Sequence, residues 1–168
     1  MAEKLSLRDY QRDLAERLRA AESARSTSML ALQVADQGWL VDLGDASEVI
    51  PVPRITGVPL TRPWYKGVSN IRGNLYSVID FPAFLGVAPV TLSEQSRLLL
   101  IGERFRMGAA LLVDRSLGLR NPAQLKARAK RDATPWIKSE YEDEDGRAWR
   151  ELDVPLLVQQ PEFLGVAQ

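Results

Sequence analysis

Hydrophobic residues near the start of the chain recur with a helical period. Between residues 6 and 24 they are spaced three or four apart, with charged residues between them; they are Leu7, Tyr10, Leu14, Leu18 and Ala21. This spacing predicts one amphipathic helix, which Ser6 would cap. A single apolar stripe can pack on the helix's own domain or bind a partner, and packing is the favoured interpretation. The small polar residues of 23–28 predict a linker after it.

Beyond the linker the period changes to that of strands. Short apolar runs alternate with turn residues, and the predicted strands are 29–34, 39–43, 48–50, 68–71, 75–79, 98–101, 107–113, 136–141 and 148–152. Gly73 and Asp145-Gly146 mark hairpin turns, and Pro51 assigns its strand to a sheet edge because proline has no N–H to donate. Asp80 would cap a short helix over 81–85, and further short helical segments follow residue 153. Many short strands predict a mainly β fold of small barrels or a sandwich.

Composition excludes several classes of site. The chain has 22 basic and 22 acidic residues, a formal net charge of +0, and neither Cys nor His. A Ser-His-Asp triad and an ordinary zinc site are therefore excluded, and no cofactor is expected. Balanced charge disfavours nucleic-acid binding, although a small barrel that binds nucleic acid stays an alternative. A hydrolase with two carboxylates is a further alternative that no motif supports.

Two charged stretches lie in the second half. The basic one contains Lys126, Arg128, Lys130 and Arg131, and the acidic one contains Glu140, Glu142, Asp143, Glu144 and Asp145. A solvated loop is favoured for the basic stretch over a phosphate or membrane site, because nearby acids neutralise its field. The acidic stretch lacks the spaced ligands of a calcium loop. The N-terminus does not have the pattern of a signal peptide, and no apolar run is long enough to span a membrane, so a cytoplasmic protein without membrane insertion is expected.

The densest motif lies between Trp64 and Asp80. It has a Gly-Val pair, a short polar pair, an apolar residue, Arg-Gly and an apolar strand that ends in Asp. In this chain its residues are Gly67, Val68, Asn70, Ile71, Arg72, Gly73 and Asp80. The motif resembles the centre of the CheW-like family of chemotaxis coupling proteins. Ser47–Ile50 and Gly108–Asp114 resemble other parts of that family, so the resemblance covers roughly residues 28–166 and leaves 1–27 as helix and linker before a domain of 28–168.

The resemblance implies a fold of two small five-stranded SH3-like β-barrels, packed side by side around a hydrophobic core. It also implies a non-catalytic adaptor of two-component signal transduction. Such an adaptor couples the cytoplasmic tip of a methyl-accepting chemoreceptor to the regulatory domain of a CheA-type histidine kinase. The Trp-x-Lys-Gly-Val run and the acidic hairpin resemble the branch that serves the type IV pilus and twitching motility; a flagellar-type coupling protein is the alternative.

The resemblance also assigns site residues. It places Glu48 and Arg72 beside the receptor-binding groove, where an arginine fork would suit the carboxylate in a partly buried ion pair. Arg72 would either brace its hairpin only or also touch the receptor. Candidates for kinase docking are Val49, Ile50, Val52 and Ile55. Packing in the core is the alternative for each of these four, since most Val and Ile side chains are buried.

Overall fold

The computed structural model describes residues 7–167, and its secondary structure there is mainly β. The strands are β1 (Met29–Val34), β2 (Gln37–Asp42), β3 (Ala46–Pro51), β4 (Tyr65–Ile71), β5 (Asn74–Asp80), β6 (Arg97–Ile101), β7 (Ala109–Val113), β8 (Arg115–Arg120), β9 (Lys126–Arg128), β10 (Ile137–Glu142) and β11 (Ala148–Leu152). The helices are α1 (Leu7–Thr27), α2 (Phe81–Phe84), α3 (Val154–Leu157) and α4 (Pro161–Leu164).

The strands form two sheets. One has six strands in the order β8-β1-β2-β11-β10-β9, and the other has five in the order β3-β6-β7-β5-β4. Neighbouring strands are antiparallel except for β2 with β11 and β5 with β7. The prediction of a mainly β fold built of two small units is confirmed, with six strands rather than five in one unit.

The segment that follows β3 pairs with the opposite edge of the five-stranded sheet. β3 forms the first edge, and the chain that leaves it crosses to β4, the opposite edge. There the backbone N–H of Thr56 donates to the carbonyl of Val68 at 2.8 Å, and the N–H of Val68 donates back at 2.9 Å. The hydroxyl of Ser69 also donates to the carbonyl of Arg54. These bonds satisfy backbone groups that an open edge would leave unpaired.

The main hydrophobic cluster takes side chains from both sheets and joins them. Trp39 of β2 and Leu111 of β7 belong to it, and both are fully buried. Alternate residues of β7 point the other way: Leu112 belongs to a second cluster within the five-stranded unit. Trp149 belongs to a third cluster within the six-stranded unit. β7 is buried on both faces, which explains its continuous apolar sequence.

Two local predictions at the start of the chain differ from the structure. α1 continues to Thr27, so residues 23–27, predicted as linker, are helical. The predicted cap Ser6 lies outside the described residues. The stripe of α1 was expected to pack on its own domain, but Leu7, Tyr10, Leu14 and Leu18 are between 46% and 74% exposed. None of α1's described side chains belongs to the three clusters.

The second half contains two strands that the pattern did not predict. β8 follows β7 directly, and β9 lies within the basic stretch that was expected to be a loop. All three residues of β9 are exposed, so no buried apolar residue marks the strand. It is held by pairing with β10 of the acidic hairpin.

Candidate partner-binding surface

The β4–β5 hairpin carries the sequence motif, and a two-residue turn closes it. Ile71 pairs with Asn74, and the turn residues Arg72 and Gly73 both have positive φ, 52° and 87°. Positive φ at both positions is the type I′ turn, which matches the twist of the strands. The side-chain oxygen of Asn70 accepts a hydrogen bond from the N–H of Gly73 at 2.9 Å and stabilises the turn. The predicted positive φ of Gly73 is confirmed.

Arg72 is an unusual residue for its place in this turn. The first position of a type I′ turn favours Asn, Asp or Gly, because other side chains meet a steric cost at positive φ. Turn propensity therefore does not explain an arginine here. Its guanidinium reaches across to β3 and binds Glu48.

The Glu48–Arg72 pair is bidentate. Arg72 Nη1 donates to Glu48 Oε2 and Nη2 donates to Oε1, each at 2.6 Å. These charge-assisted bonds from Arg72 hold the pKa of the Glu48 carboxyl below its usual value and raise the pKa of Arg72. The pair links the edge strand β3 to the hairpin tip.

The pair lies at the surface, with the guanidinium exposed and the carboxylate half-buried. The Arg72 side chain is 70% exposed and the Glu48 side chain is 38% exposed. Truncating one partner leaves the other in contact with water, not stranded in a dry interior. The geometry therefore offers both charges to a partner protein while it fixes their positions.

The other motif residues build the hairpin below this tip. Ile71 is buried in the cluster of the five-stranded unit, and Val68 forms the backbone bonds with Thr56. Gly67 has φ +131°, and a Cβ at this position would lie 2.0 Å from the carbonyl oxygen of Thr56. Only glycine permits this approach.

Asp80 ends the hairpin and is fully buried. Its carboxylate accepts hydrogen bonds from the N–H groups of Ala83 and Val90, and so caps α2 as predicted. Lys66 Nζ lies 3.3 Å from Asp80 Oδ2. Lys66 was not predicted to bind Asp80; the signal was present, since neighbouring Tyr65 pairs with Ile79 across the hairpin.

The four kinase-docking candidates lie in or just after β3, and all are half-buried. Val49 packs against the cluster shared by the two sheets. Ile50, Val52 and Ile55 pack against the cluster of the five-stranded unit. β3 is an edge strand, as Pro51 predicted. Each candidate thus contributes to packing and leaves part of its side chain at the surface.

The basic and acidic stretches contact each other. Arg128 forms an ion pair with Glu142 at 3.1 Å, and the N–H of Arg131 donates to Glu140. This pairing arises because β9 lies against β10 in the sheet.

A buried carboxylate in the same hairpin has its bonds satisfied. Glu151 is 6% exposed; Lys138 Nζ lies 2.9 Å from one of its oxygens, and the Tyr141 hydroxyl donates to the other at 2.9 Å. Burial and this bond raise the pKa of Tyr141. Over residues 7–167, no group of three or more His, Cys, Asp or Glu side chains could hold a metal ion.

Comparison with known proteins identifies the family. Residues 28–162 match the CheW-like domain. The chain belongs to the CheW-like domain family. The match begins one residue after α1 ends, so α1 lies outside the family domain.

Two curated relatives and one solved structure are similar to this CheW-like chain. Protein PilI of Pseudomonas aeruginosa is 33% identical over 100 residues, which cover 60% of this chain and 56% of PilI. Chemotaxis protein CheW of Thermotoga maritima is 29% identical over 100 residues, 59% of this chain and 64% of that protein. The aligned regions thus span less than two thirds of either relative.

The scaffolding protein TtCheW of Thermoanaerobacter tengcongensis shares the fold. Its crystal structure matches with a TM-score of 0.63 at 20% identity and covers 76% of this chain and 88% of TtCheW. The two-sheet architecture of the CheW-like domain is therefore confirmed. Among the helices described here, none has the length and apolar character needed to cross a membrane.

Proposed function

We propose that this chain is a non-catalytic adaptor that couples the tip of a methyl-accepting chemoreceptor to the regulatory domain of a CheA-type histidine kinase. Family membership supports the class of function. The observation that carries the proposal is the Glu48–Arg72 pair. Arg72 is exposed on a strained turn, and a bidentate bond fixes it to half-buried Glu48 of the edge strand β3, which also carries half-buried apolar residues.

The pair provides the receptor contact in this proposal. A bidentate bond fixes the guanidinium in one orientation, so a partner meets a preorganised charge and less side-chain entropy is lost on binding. The positive φ of Arg72 supports a role for this side chain beyond the turn itself.

The segment from Val49 to Ile55 provides the kinase contact. Its apolar side chains are partly exposed along a sheet edge, and an interface needs an apolar centre with a polar rim. Signal transfer follows if the adaptor binds one state of the kinase more tightly than another, because a ligand shifts an equilibrium only by its difference in affinity.

Control of twitching motility by the type IV pilus is the pathway we propose, supported by the similarity to PilI. The adaptor would be cytoplasmic and would reach the membrane only through its partners. A flagellar-type pathway is the alternative. The neighbouring genes would distinguish the two pathways, since response regulators of the pilus system are expected beside an adaptor of that system.

A charge swap tests the receptor contact. We expect Arg72→Glu and Glu48→Arg each to weaken binding to a purified receptor tip. The double variant E48R/R72E restores the ion pair with its charges exchanged, so it separates bracing from contact. Binding that stays weak in the double variant supports contact; full recovery would show that the pair only braces the hairpin.

A second charge reversal tests the kinase contact. Arg54 lies between Val52 and Ile55, and it is exposed. We expect Arg54→Glu to reduce capture of the kinase regulatory domain, with the circular dichroism spectrum unchanged. Arg131→Glu, a reversal at another exposed position in the loop between β9 and β10, is the matched control. Equal capture by the wild type and both variants would contradict this assignment.

A further inference from the structure

The apolar stripe of α1 is unburied, and α1 lies outside the CheW-like domain. The exposed fractions are 74% for Leu7, 62% for Tyr10, 46% for Leu14 and 57% for Leu18. Amphipathic helices in proteins gain most of their stability from packing their apolar face. A helix of 21 residues with this face in water therefore has a surface suited to a partner.

The stripe is symmetric about Leu14. Leu7 and Ala21 lie seven residues to either side, and Tyr10 and Leu18 lie four to either side. In an antiparallel pair centred on Leu14, Leu7 of one copy lies opposite Ala21 of the other, and Tyr10 lies opposite Leu18. Large residues thus meet small ones at the ends, and large residues meet in the middle, which suits close packing.

The charges beside the stripe favour this antiparallel arrangement. Asp13 and Arg17 lie on one flank and form an ion pair within the helix at 2.9 Å. A two-fold axis brings the same flank of both copies together, so Asp13 of one copy lies near Arg17 of the other. In a parallel pair opposite flanks meet, so Asp13 and Arg17 of the two copies would not contact each other.

We propose that α1 binds α1 of a second copy of this chain as an antiparallel helix pair centred on Leu14. Self-complementary charge favours a second copy over an unrelated helix as the occupant. The pair would join two adaptor domains through their N-terminal helices and leave the β3 edge and the β4–β5 tip of each domain open. This proposal does not depend on the proposed signalling function.

Sedimentation equilibrium of the full chain tests the association. We expect a concentration-dependent dimer, and we expect Leu14→Asp to raise its dissociation constant by about tenfold or more, because an apolar contact is lost at the centre. Ala15→Asp introduces the same residue away from the stripe and should leave the constant nearly unchanged. A chain that stays monomeric at every concentration would overturn the proposal, as would equal effects of the two variants.

Mixing two variants tests the charge pairing between copies. Asp13→Arg gives a flank with two positive charges, and Arg17→Asp gives a flank with two negative charges. Each variant alone should dimerise less than the wild type, whereas an equimolar mixture should recover the dimer. Recovery cannot come from the pair within one helix, which both variants lack. A mixture no stronger than its components would contradict pairing between copies.

Disulfide cross-linking tests the direction. The chain has no cysteine, so single introduced cysteines are unique. We expect Leu7→Cys and Ala21→Cys chains to cross-link mainly with each other when mixed under mild oxidation. Cross-links mainly between identical chains would indicate a parallel pair and overturn the antiparallel arrangement. No cross-link in any mixture, at concentrations where the wild type is expected to be dimeric, would also overturn the proposal.

Discussion

The two ends of the β4–β5 hairpin each carry an ion pair, and the pairs differ in environment. At the base, Lys66 meets the carboxylate of Asp80, whose side chain is 0% exposed. At the tip, Arg72 meets Glu48, and both side chains contact water. The tip pair is shorter, 2.6 Å against 3.3 Å, and it is bidentate.

Distance alone would rank the tip pair as the more stabilising, but burial reverses this order. The fully buried Asp80 carboxylate accepts from the backbone N–H groups of Val90 and Ala83, and a buried donor left without an acceptor is costly. An exposed pair exchanges its bonds with solvent and contributes little to folding. We infer that the base of the motif maintains the fold and that the tip is free to serve partners.

Removing the carboxylate at the base should have the largest effect. We expect Asp80→Ala to lower the free energy of unfolding by about 3–5 kcal/mol, because it leaves Lys66 and two backbone donors without their acceptor and removes the cap of α2. Denaturant unfolding measures this loss. Asp80→Asn keeps an acceptor and should cost less. A loss below about 1 kcal/mol for the alanine variant would contradict the inference that the base of the hairpin maintains the fold.

Substitution of one glycine at each end of the β4–β5 hairpin compares the two ends without changing any charge. Gly67→Ala at the base combines positive φ with a clash against Thr56, and we expect a loss of about 1–3 kcal/mol or more in the free energy of unfolding. Gly73→Ala at the tip meets open space and should cost only about 1 kcal/mol, from its φ alone. The same unfolding experiment measures both; equal losses would show that the close approach at Gly67 is not important.

Asp143, at the tip of the β10–β11 hairpin, is intermediate in burial: its side chain is 13% exposed, between Asp80 and Glu48. A hydrogen bond from Trp149 Nε1 to Asp143, at 2.9 Å, is the main cause that lowers the pKa of this carboxyl. A lowered pKa in the folded state stabilises the fold above the ordinary value of 3.8, and this contribution is lost as pH falls through the folded-state pKa.

Stability measured from neutral pH to below 3.8 should therefore fall less steeply in Asp143→Asn than in the wild type. The remaining slope would come from other carboxyls with lowered pKa values, among them Glu48 and Asp132. Identical slopes in the two proteins would show that Asp143 does not contribute to the pH dependence of stability.

The smallest effect on stability is expected at the β4–β5 tip. Arg72→Ala and Glu48→Ala should leave the unfolding midpoint without a resolvable change, because water solvates the charge that remains. Binding to a receptor tip should fall in both variants. A destabilisation comparable to that of Asp80→Ala would mean that the tip also maintains the fold, and the division of roles would be wrong.

The sequence by itself determined the features that depend on near neighbours. The turn at Gly73, the cap at Asp80 and the edge position of β3 each follow from the chemistry of a single residue, and the structure confirms all three. The period of apolar residues predicted α1 and most strands. Resemblance to the CheW-like family added the two-unit fold and directed attention to Glu48 and Arg72, which lie 24 residues apart.

Only the tertiary structure decided which faces of those elements are buried, exposed or paired with other segments. It showed the exposure of the Glu48–Arg72 pair, the burial of Asp80 beside Lys66, and the crossing of residues 54–56 onto β4. It also placed β9 in a sheet with no buried apolar residue to mark it, and left the stripe of α1 in water. Residue spacing fixes which side chains share a face, but what covers that face depends on how distant segments pack.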